Sequence, residues 1–312
     1  MKKSRCIIFG GGGFIGSHLV KSLVNKGYSI YVFTLGSKHE QNNLKNVIKH
    51  INLIKGDFND ANSLRKFIKP GDIIFDLVAS SVPSSSFASP VDEINKHIYP
   101  HVNLFEVAFQ KKVKKIIFLS SGGGVYGEKK IMPISELSLT KPISPHSIAK
   151  LTIEYYLQYF SRLYRIPILI YRVSNAYGPR QIPKDGFGII PAMFFNILRK
   201  KRPILFDHGK IIRDFIYIDD LTEAIAMSFD KKNKFDVYNL GSSKGTSLIM
   251  LYKKIKEITK SNIEPLYQPK RSFDVDKNVL DISRISHEFN WTPMTDLNTG
   301  LQNTWKWLNS QN

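Results

Sequence analysis

Two short segments carry residue types that could do chemistry together. The first is residues 7–19, IIFGGGGFIGSHL, where Gly10, Gly13 and Gly16 stand three apart between an apolar run and a stretch of helical period. A side chain at Gly10 would block a tight turn, and one at Gly13 would hold the backbone away from a pyrophosphate. The third glycine, Gly16, lets helix and strand pack closely. The N-terminus of the helix that follows would aim free N–H groups and a positive dipole end at the phosphates, and Phe14 and Ile15, between the glycines, are expected to bind the cofactor. The second segment is residues 144–150, SPHSIAK, which sets His146 and Lys150 one helical turn apart. Neutral imidazole accepts a proton near pH 7, and a neighbouring ammonium lowers its pKa and keeps it neutral. A dinucleotide cradle and a proton acceptor together point to redox chemistry.

These groups need a frame. Apolar runs at residues 6–9, 28–35, 51–54, 72–78, 115–120 and 168–173 alternate with helical periodicity at 17–26, 60–68, 95–110 and 144–165. Repeated βα units of this kind predict an α/β, Rossmann-type doubly wound parallel sheet. Ser144 can cap its helix, with Pro145 at the first position. After Ser174 the segments shorten and become richer in Pro, Gly and aromatics, with helices expected at 191–200, 219–228 and 247–259. The division expected is a dinucleotide-binding domain over residues 1–174 and a smaller, mixed substrate lobe over 175–312. Parts of 214–242 are expected to return to the main sheet.

The cofactor side has one open choice. An NAD site usually ends its second strand with an acid that bonds the ribose hydroxyls. That position is Thr34, and Lys38 and His39 follow, which could meet a 2′-phosphate. NAD is expected ahead of NADP. Asp57 and Phe58, after Gly56, are placed to flank the adenine.

Composition narrows the partners. A chain of 312 residues, 42% hydrophobic, can build a full core, and it has no run of about 18 uncharged apolar residues that would predict a membrane span. The single cysteine, Cys6, excludes an internal disulfide and any multi-cysteine metal site; no metal is expected, and the cytoplasm is the default location. The net charge of +19 comes mostly from lysines spread along the chain. It suits a solvated surface and an anionic small substrate rather than nucleic acid.

Further motifs carry a resemblance over nearly the whole chain. They are GGGGFIGSHL (10–19), Gly56-Asp57, LVASS (77–81) with Pro90 after it, FLSSGGGVYG (118–127) and NAYGPRQ (175–181). RDFIYIDDL (213–221), NLGS (239–242) and DISRISHEFNWTP (281–293) complete the set. The chain resembles an extended short-chain dehydrogenase/reductase, specifically the NAD-dependent epimerase/dehydratase family acting on nucleotide sugars. The resemblance implies that Val78, Ala79 and Ser80 line the cofactor and that Lys150 holds the nicotinamide ribose. It implies that Asn175 sits near the sugar diphosphate and that Arg213 and Arg271 pair with it, while Ser121, Gly122, Tyr126 and Asp274 join the substrate side. It also implies a homodimer through a four-helix interface built from residues 95–110 and 152–165.

The same resemblance exposes a departure. The family's catalytic set is Ser or Thr, Tyr and Lys; here the hydroxyl position is Gly122 and the tyrosine position is His146. His97 stands where the family prefers Asn, and only Lys150 is kept. Gly123 occupies the place of the acid that a 4,6-dehydratase requires. Tyr126, Ser80 and Tyr177 are other groups that could handle a proton; Ser121 is expected to face the other side of its strand. The function expected is an NAD(P)-dependent epimerase working on a nucleotide-diphosphate sugar, with hydride transfer at C4. The alternatives are a C4 dehydrogenase that releases a keto-sugar, or a catalytically impaired protein that binds dinucleotide or nucleotide sugar.

Overall fold

The computed structural model describes residues 4–79, 86–87, 89–183, 188–271 and 274–311. Seven parallel strands form the main sheet: β1 (Arg5–Phe9), β2 (Ser29–Thr34), β3 (Ile51–Lys55), β4 (Ile73–Asp76), β5 (Lys115–Ser121), β6 (Ile168–Val173) and β10 (Val237–Leu240). Their order is β10-β6-β5-β4-β1-β2-β3. The chain therefore reverses direction across the sheet between β1 and β4, the switch point where such sheets leave a crevice at their carboxyl ends.

Both faces of the sheet's inner part are covered, so its inner strands are mostly apolar rather than alternating, while the edge strand β3 is largely exposed. Ile8, Val32 and Leu169 face one way, onto α1 (Phe14–Asn25) and onto a helix from later in the chain, residues 218–228. Ile7, Phe33 and Ile170 face the other, onto α3 (Ala61–Phe67), α4 (Tyr99–Gln110) and α5 (Pro145–Tyr164). Between β2 and β3 lies α2 (Lys38–Leu44), which periodicity does not announce. It is too short for a clear apolar stripe, and its signal is a capping box in which Ser37 and Glu40 satisfy each other's backbone N–H.

Two helices expected in the main layer begin at other residues than periodicity suggests. The first opens at Phe14 rather than at Ser17, because the turn already ends at Gly13, which serves as its cap. The one ahead of β5 is longer: a helical turn Pro90–Glu93 and a single π turn Ile94–Ile98 run directly into α4. Helix α5 starts at Pro145, as expected, with Ser144 Oγ accepting the N–H of Ser147 at 3.2 Å.

Beyond β6 the chain builds two small sheets and comes back once. Strand β9 (Ile212–Tyr217) is central to the larger, flanked by β7 (Asn175–Tyr177), β11 (Gly245–Ser247) and β13 (Lys277–Asn278), while β8 (Ile204–Phe206) pairs β12 (Leu266–Gln268). Helices α6 (Ile189–Leu198), α7 (Ile218–Ser228), α8 (Leu248–Thr259), α9 (Ser283–Phe289) and α10 (Leu297–Asn309) complete the fold. Strand β10 lies parallel to β6 in the main sheet, although β7, β8 and β9 stand between the two in sequence.

Candidate active site

One cavity of about 740 Å³ opens at the carboxyl ends of β1, β4, β5 and β6. It runs from Phe14 and Ile15, past His146 and Lys150, to Arg213 and Phe206 on the small sheets.

The glycine turn is built by contacts that leave no room for side chains. Gly10 has φ +75°, and a Cβ there would lie 3.0 Å from the carbonyl oxygen of Leu77, the residue that leaves β4. A Cβ on Gly16 would overlap the Gly10 carbonyl oxygen and the Gly11 Cα. Gly13 donates its N–H to Gly10 O at 3.1 Å, and a Cβ there would meet only that oxygen, at 3.2 Å. Two glycines thus close the turn and the third leaves a bare surface beside the first turn of α1. This cradle fits a dinucleotide diphosphate.

The other cofactor-side residues divide. Ala79 and His39 line the cavity, and His39 Nε2 lies 3.2 Å from Asn43 Nδ2. Val78 contributes its carbonyl to Lys150. Thr34, Asp57 and Phe58 do not line it. Thr34 is buried and accepts the Gly36 N–H at 2.9 Å. Asp57 closes its own turn by accepting the backbone and side-chain N–H of Asn59 at 2.9 and 2.8 Å. Phe58 packs edge-on against Phe9 and His101. Ser80 lies outside the described residues.

Helix α5 presents His146, Lys150 and Glu154 inward, each one turn below the last. Lys150 Nζ donates to Leu119 O at 3.0 Å and Val78 O at 3.3 Å, and lies 4.7 Å from the centre of the Phe118 ring. Burial pushes its pKa down to about 8, against the pull of Asp76, Glu154 and Glu93. Glu154 is held by Arg172 at 2.7 Å and by Ser120 Oγ. Burial, and secondarily Lys150, push His146 down to about 3, so its ring is neutral at physiological pH. His97 is driven to about 2 mainly by its own burial. The His97 ring meets His146 edge-on at 5.8 Å and stacks on His101 at 5.5 Å. His101 Nδ1 is bonded to the buried Asp76 Oδ2 at 2.5 Å. Three imidazoles thus form a row from the end of β4 to the head of α5.

Glu93 joins them. One ligand atom each of Glu93, His97 and His146 lies within 4.8 Å of the others, and all three residues are buried. Sequence reasoning missed Glu93, His101 and Asp76. The signal was there: Glu93, His97 and His101 are spaced four apart, as residues on one helical face should be.

Several assignments change. Tyr126 does not reach the substrate space; it is fully buried, donates to Asn239 Oδ1 at 2.7 Å, and has the Arg172 guanidinium over its ring. Gly122 does not face the cavity either. A Cβ there would sit 2.5 Å from Leu280 Cδ1 and 2.9 Å from Arg172 O. The hydroxyl that reaches the cavity from the end of β5 is Ser121, contrary to its expected orientation, because the strand ends there and the chain turns into the glycine run. Tyr177 lines the cavity with its ring, but its hydroxyl points to Leu297 O, at 3.5 Å.

At the far end Asn175 Nδ2 donates to Asp214 O at 3.0 Å, which fixes it on the cavity wall. Arg271 makes a two-point contact with Asp274, at 2.7 and 3.0 Å, and lies 4.2 Å above the Phe206 ring. Arg213 reaches Asp274 at 3.4 Å and donates to Val275 O at 2.7 Å. Asp274 therefore orients two guanidinium forks into one pocket, where planar donors suit phosphate oxygens.

Known proteins share this design. Residues 6–241 match the sequence profile of the NAD dependent epimerase/dehydratase family. A putative UDP-glucose 4-epimerase of Methanocaldococcus jannaschii is 31% identical over 307 residues, which is 98% of this chain and 99% of the relative. The UDP-glucose 4-epimerase of Thermotoga maritima, solved with UDP-glucose, superposes with a TM-score of 0.92 at 32% identity over 98% of this chain and 99% of that one. The Thermus thermophilus UDP-glucose 4-epimerase, solved with NAD, gives 0.89 at 25% identity over 98% and 99%. With the glycine cradle and Lys150 at the switch-point crevice, the chain belongs to the NAD-dependent epimerase/dehydratase family.

Proposed function

We propose that this chain is an NAD-dependent 4-epimerase of a UDP-linked hexose in which His146 takes the place of the family's tyrosine. The observation that carries the reading is a cavity that runs from Phe14 and Ile15, the residues next to the glycine turn, past the His146–Lys150 pair to the Arg213–Arg271 pocket. The relatives named above supply the uridine and the C4 position.

NAD, when bound, takes hydride from the sugar carbon and returns it. The chain's own groups do the rest. Arg213 and Arg271 neutralise the diphosphate and set the sugar's distance from the cradle. The neutral His146 ring accepts the proton of the C4 hydroxyl as hydride leaves, so that the carbon becomes a ketone rather than a cation. It returns the proton when hydride comes back to the opposite face. Lys150 would hold the cofactor ribose, and burial together with its ammonium keeps the His146 ring neutral and ready to accept a proton. Ser121 offers the hydroxyl that steadies the reacting oxygen.

The second reading, an impaired binding protein, is favoured by one feature: neither the tyrosine nor the hydroxyl of the family set is present at its usual position. Incubation with UDP-glucose, UDP-galactose and their N-acetyl forms separates the two. An epimerase interconverts the C4 isomers, followed by proton NMR of the sugar. A binding protein is stabilised thermally by the same ligands but leaves them unchanged.

We also propose a cytoplasmic homodimer. Ile148, Tyr155, Tyr159 and Leu163 expose an apolar stripe along α5, and Val91, Ile94 and Tyr99 expose another beside it. A patch of this size on a soluble chain favours a partner surface. Tyr159→Lys should turn a dimer into a monomer by light scattering; an unchanged mass removes this interface.

A further inference from the structure

The family reaction has no use for Glu93, yet Glu93 is buried against the proposed base. We propose that Glu93, His97 and His146 form a binding site for a divalent transition-metal ion, with Zn²⁺ the best fit, and that occupancy of this site and use of His146 as a proton acceptor exclude one another. The second half rests on the function proposed above; the first does not.

The donor set is two imidazoles and one carboxylate, the same kinds of ligand that hold zinc with one position left open. Their atoms lie within 4.8 Å of one another. The centre of a triangle of that size is about 2.8 Å from its corners, so each donor must close by roughly 0.7 Å to reach zinc bonding distance. Side-chain rotation supplies that. Glu93 and His97 come from one run of helix, four residues apart, and His146 from the head of α5 facing it. The backbone between the first two ligands is the π turn Ile94–Ile98, a distortion that often marks a functional site. Glu93 brings the negative charge that a dication requires, and the Lys150 ammonium opposes it. Behind the ligands, the His101–Asp76 pair backs the His97 ring by stacking.

Exclusion follows from the ring itself. A neutral imidazole has one nitrogen lone pair, and its other nitrogen carries a proton. Coordination through either atom uses that lone pair. The loaded His146 cannot then accept the sugar proton.

The test uses untagged full-length protein stripped with chelator and returned to metal-free buffer. Calorimetry with Zn²⁺ alone should give one equivalent per chain, and Co²⁺ should give visible d–d bands in the same ratio. Glu93→Gln and His97→Gln should each weaken Zn²⁺ at least tenfold while NAD binding, the check of the fold, is kept. If either variant loses NAD binding, His146→Gln is read in its place. No stoichiometric uptake by the natural protein, or equal uptake by the variants, overturns the site. With nucleotide sugar, one equivalent of Zn²⁺ should stop turnover and chelator should restore it. Turnover at the same rate with the site loaded overturns the exclusion and removes His146 as the base. If no sugar is ever converted, the epimerase reading falls, while the titrations still decide the metal site.

Discussion

The glycine turn, which sets Phe14 and Ile15 at one end of the cavity, and the His146 centre along its wall ask different things of a sequence. The turn asks for the absence of side chains, and it is met: a Cβ at Gly10 or Gly16 would strike backbone that cannot move without displacing β1 or β4. The His146 centre asks for one proton acceptor at one height above a lysine, and several groups can meet that. A backbone requirement has a single solution and persists; a proton-transfer requirement has several and can drift. On the proposed function, that contrast accounts for a chain with the glycine turn and Lys150 but with His146 and Gly122 where the resemblance expects tyrosine and a hydroxyl.

The largest expected effect breaks the altered side. His146→Ala should lower turnover by about 10²–10⁴-fold, the range of a positioned general base, with NAD binding unchanged. His146→Tyr should keep or raise turnover, because Lys150 remains to depress the phenol. The pH profile gives the sign. With the imidazole held near 3, the rate should not fall on passing pH 6.5 toward 5, as it would for an ordinary histidine. Stability behaves differently. The unfolded chain protonates these rings below about pH 6.5, whereas the folded one holds His146 and His97 neutral to about 3 and 2. The unfolded state then binds more protons, so stability should decline as pH drops through that window, and His97→Gln should flatten the decline in urea titrations. A rate that halves near pH 6.5 would mean that His146 is not buried as described.

The kept side should break next. Gly13→Val leaves the fold, since a Cβ there meets only Gly10 O at 3.2 Å, but it covers the surface where phosphate approaches. Losing two charge-assisted N–H contacts, at about 1.5 kcal/mol or more each, predicts roughly hundredfold weaker NAD. Gly16→Val is the control: it should lose the fold itself, seen as a collapse of the thermal transition. Equal NAD affinity in Gly13→Val would remove the cradle from the argument.

What could be read from the sequence divides along the same line. The parallel sheet and the glycine turn were legible because they follow from period, apolar runs and glycine spacing. Helix α2 was not, because seven residues held by a capping box have no period to detect. At the site, His146, Lys150, Asn175, Arg213 and Arg271 all line the cavity. Tyr126 and Gly122 do not, because strand β5 ends at Ser121 and the side on which later residues fall depends on a turn that alternation does not predict. Glu93 and the His101–Asp76 pair went unread for another reason: their meaning lies in meeting His146 across two helices, a contact of long sequence separation.

A smaller loss tests the substrate end, which belongs to neither side. Arg213→Ala should weaken UDP-sugar binding about 10- to 150-fold, as one charge-assisted hydrogen-bonding group is worth roughly 1.5–3 kcal/mol. NAD affinity should stay as it was. If both ligands bind normally by calorimetry, Asp274 holds that arginine for structure alone.

The smallest effect asks where a hydroxyl could be restored. The resemblance in sequence puts the family's serine position at Gly122. In space, a side chain at Gly122 would press on Leu280 Cδ1 at 2.5 Å and on the Arg172 carbonyl oxygen at 2.9 Å, and Arg172 is anchored in turn by Glu154. Leu280 can rotate, but the carbonyl belongs to β6 and cannot. Overpacking of this kind costs about 1–3 kcal/mol, so Gly122→Ser should be less stable and no faster. Gly123 is different: it lines the cavity, and a Cβ there meets nothing nearer than Ser121 Oγ at 3.8 Å. Gly123→Ser should change stability by no more than about 0.5 kcal/mol and place a second hydroxyl beside Ser121. If turnover rises in Gly123→Ser and falls with stability in Gly122→Ser, the cavity face of this turn lies at Ser121 and Gly123. The opposite pattern would put Gly122 at the reacting oxygen and return the altered centre to the family's geometry.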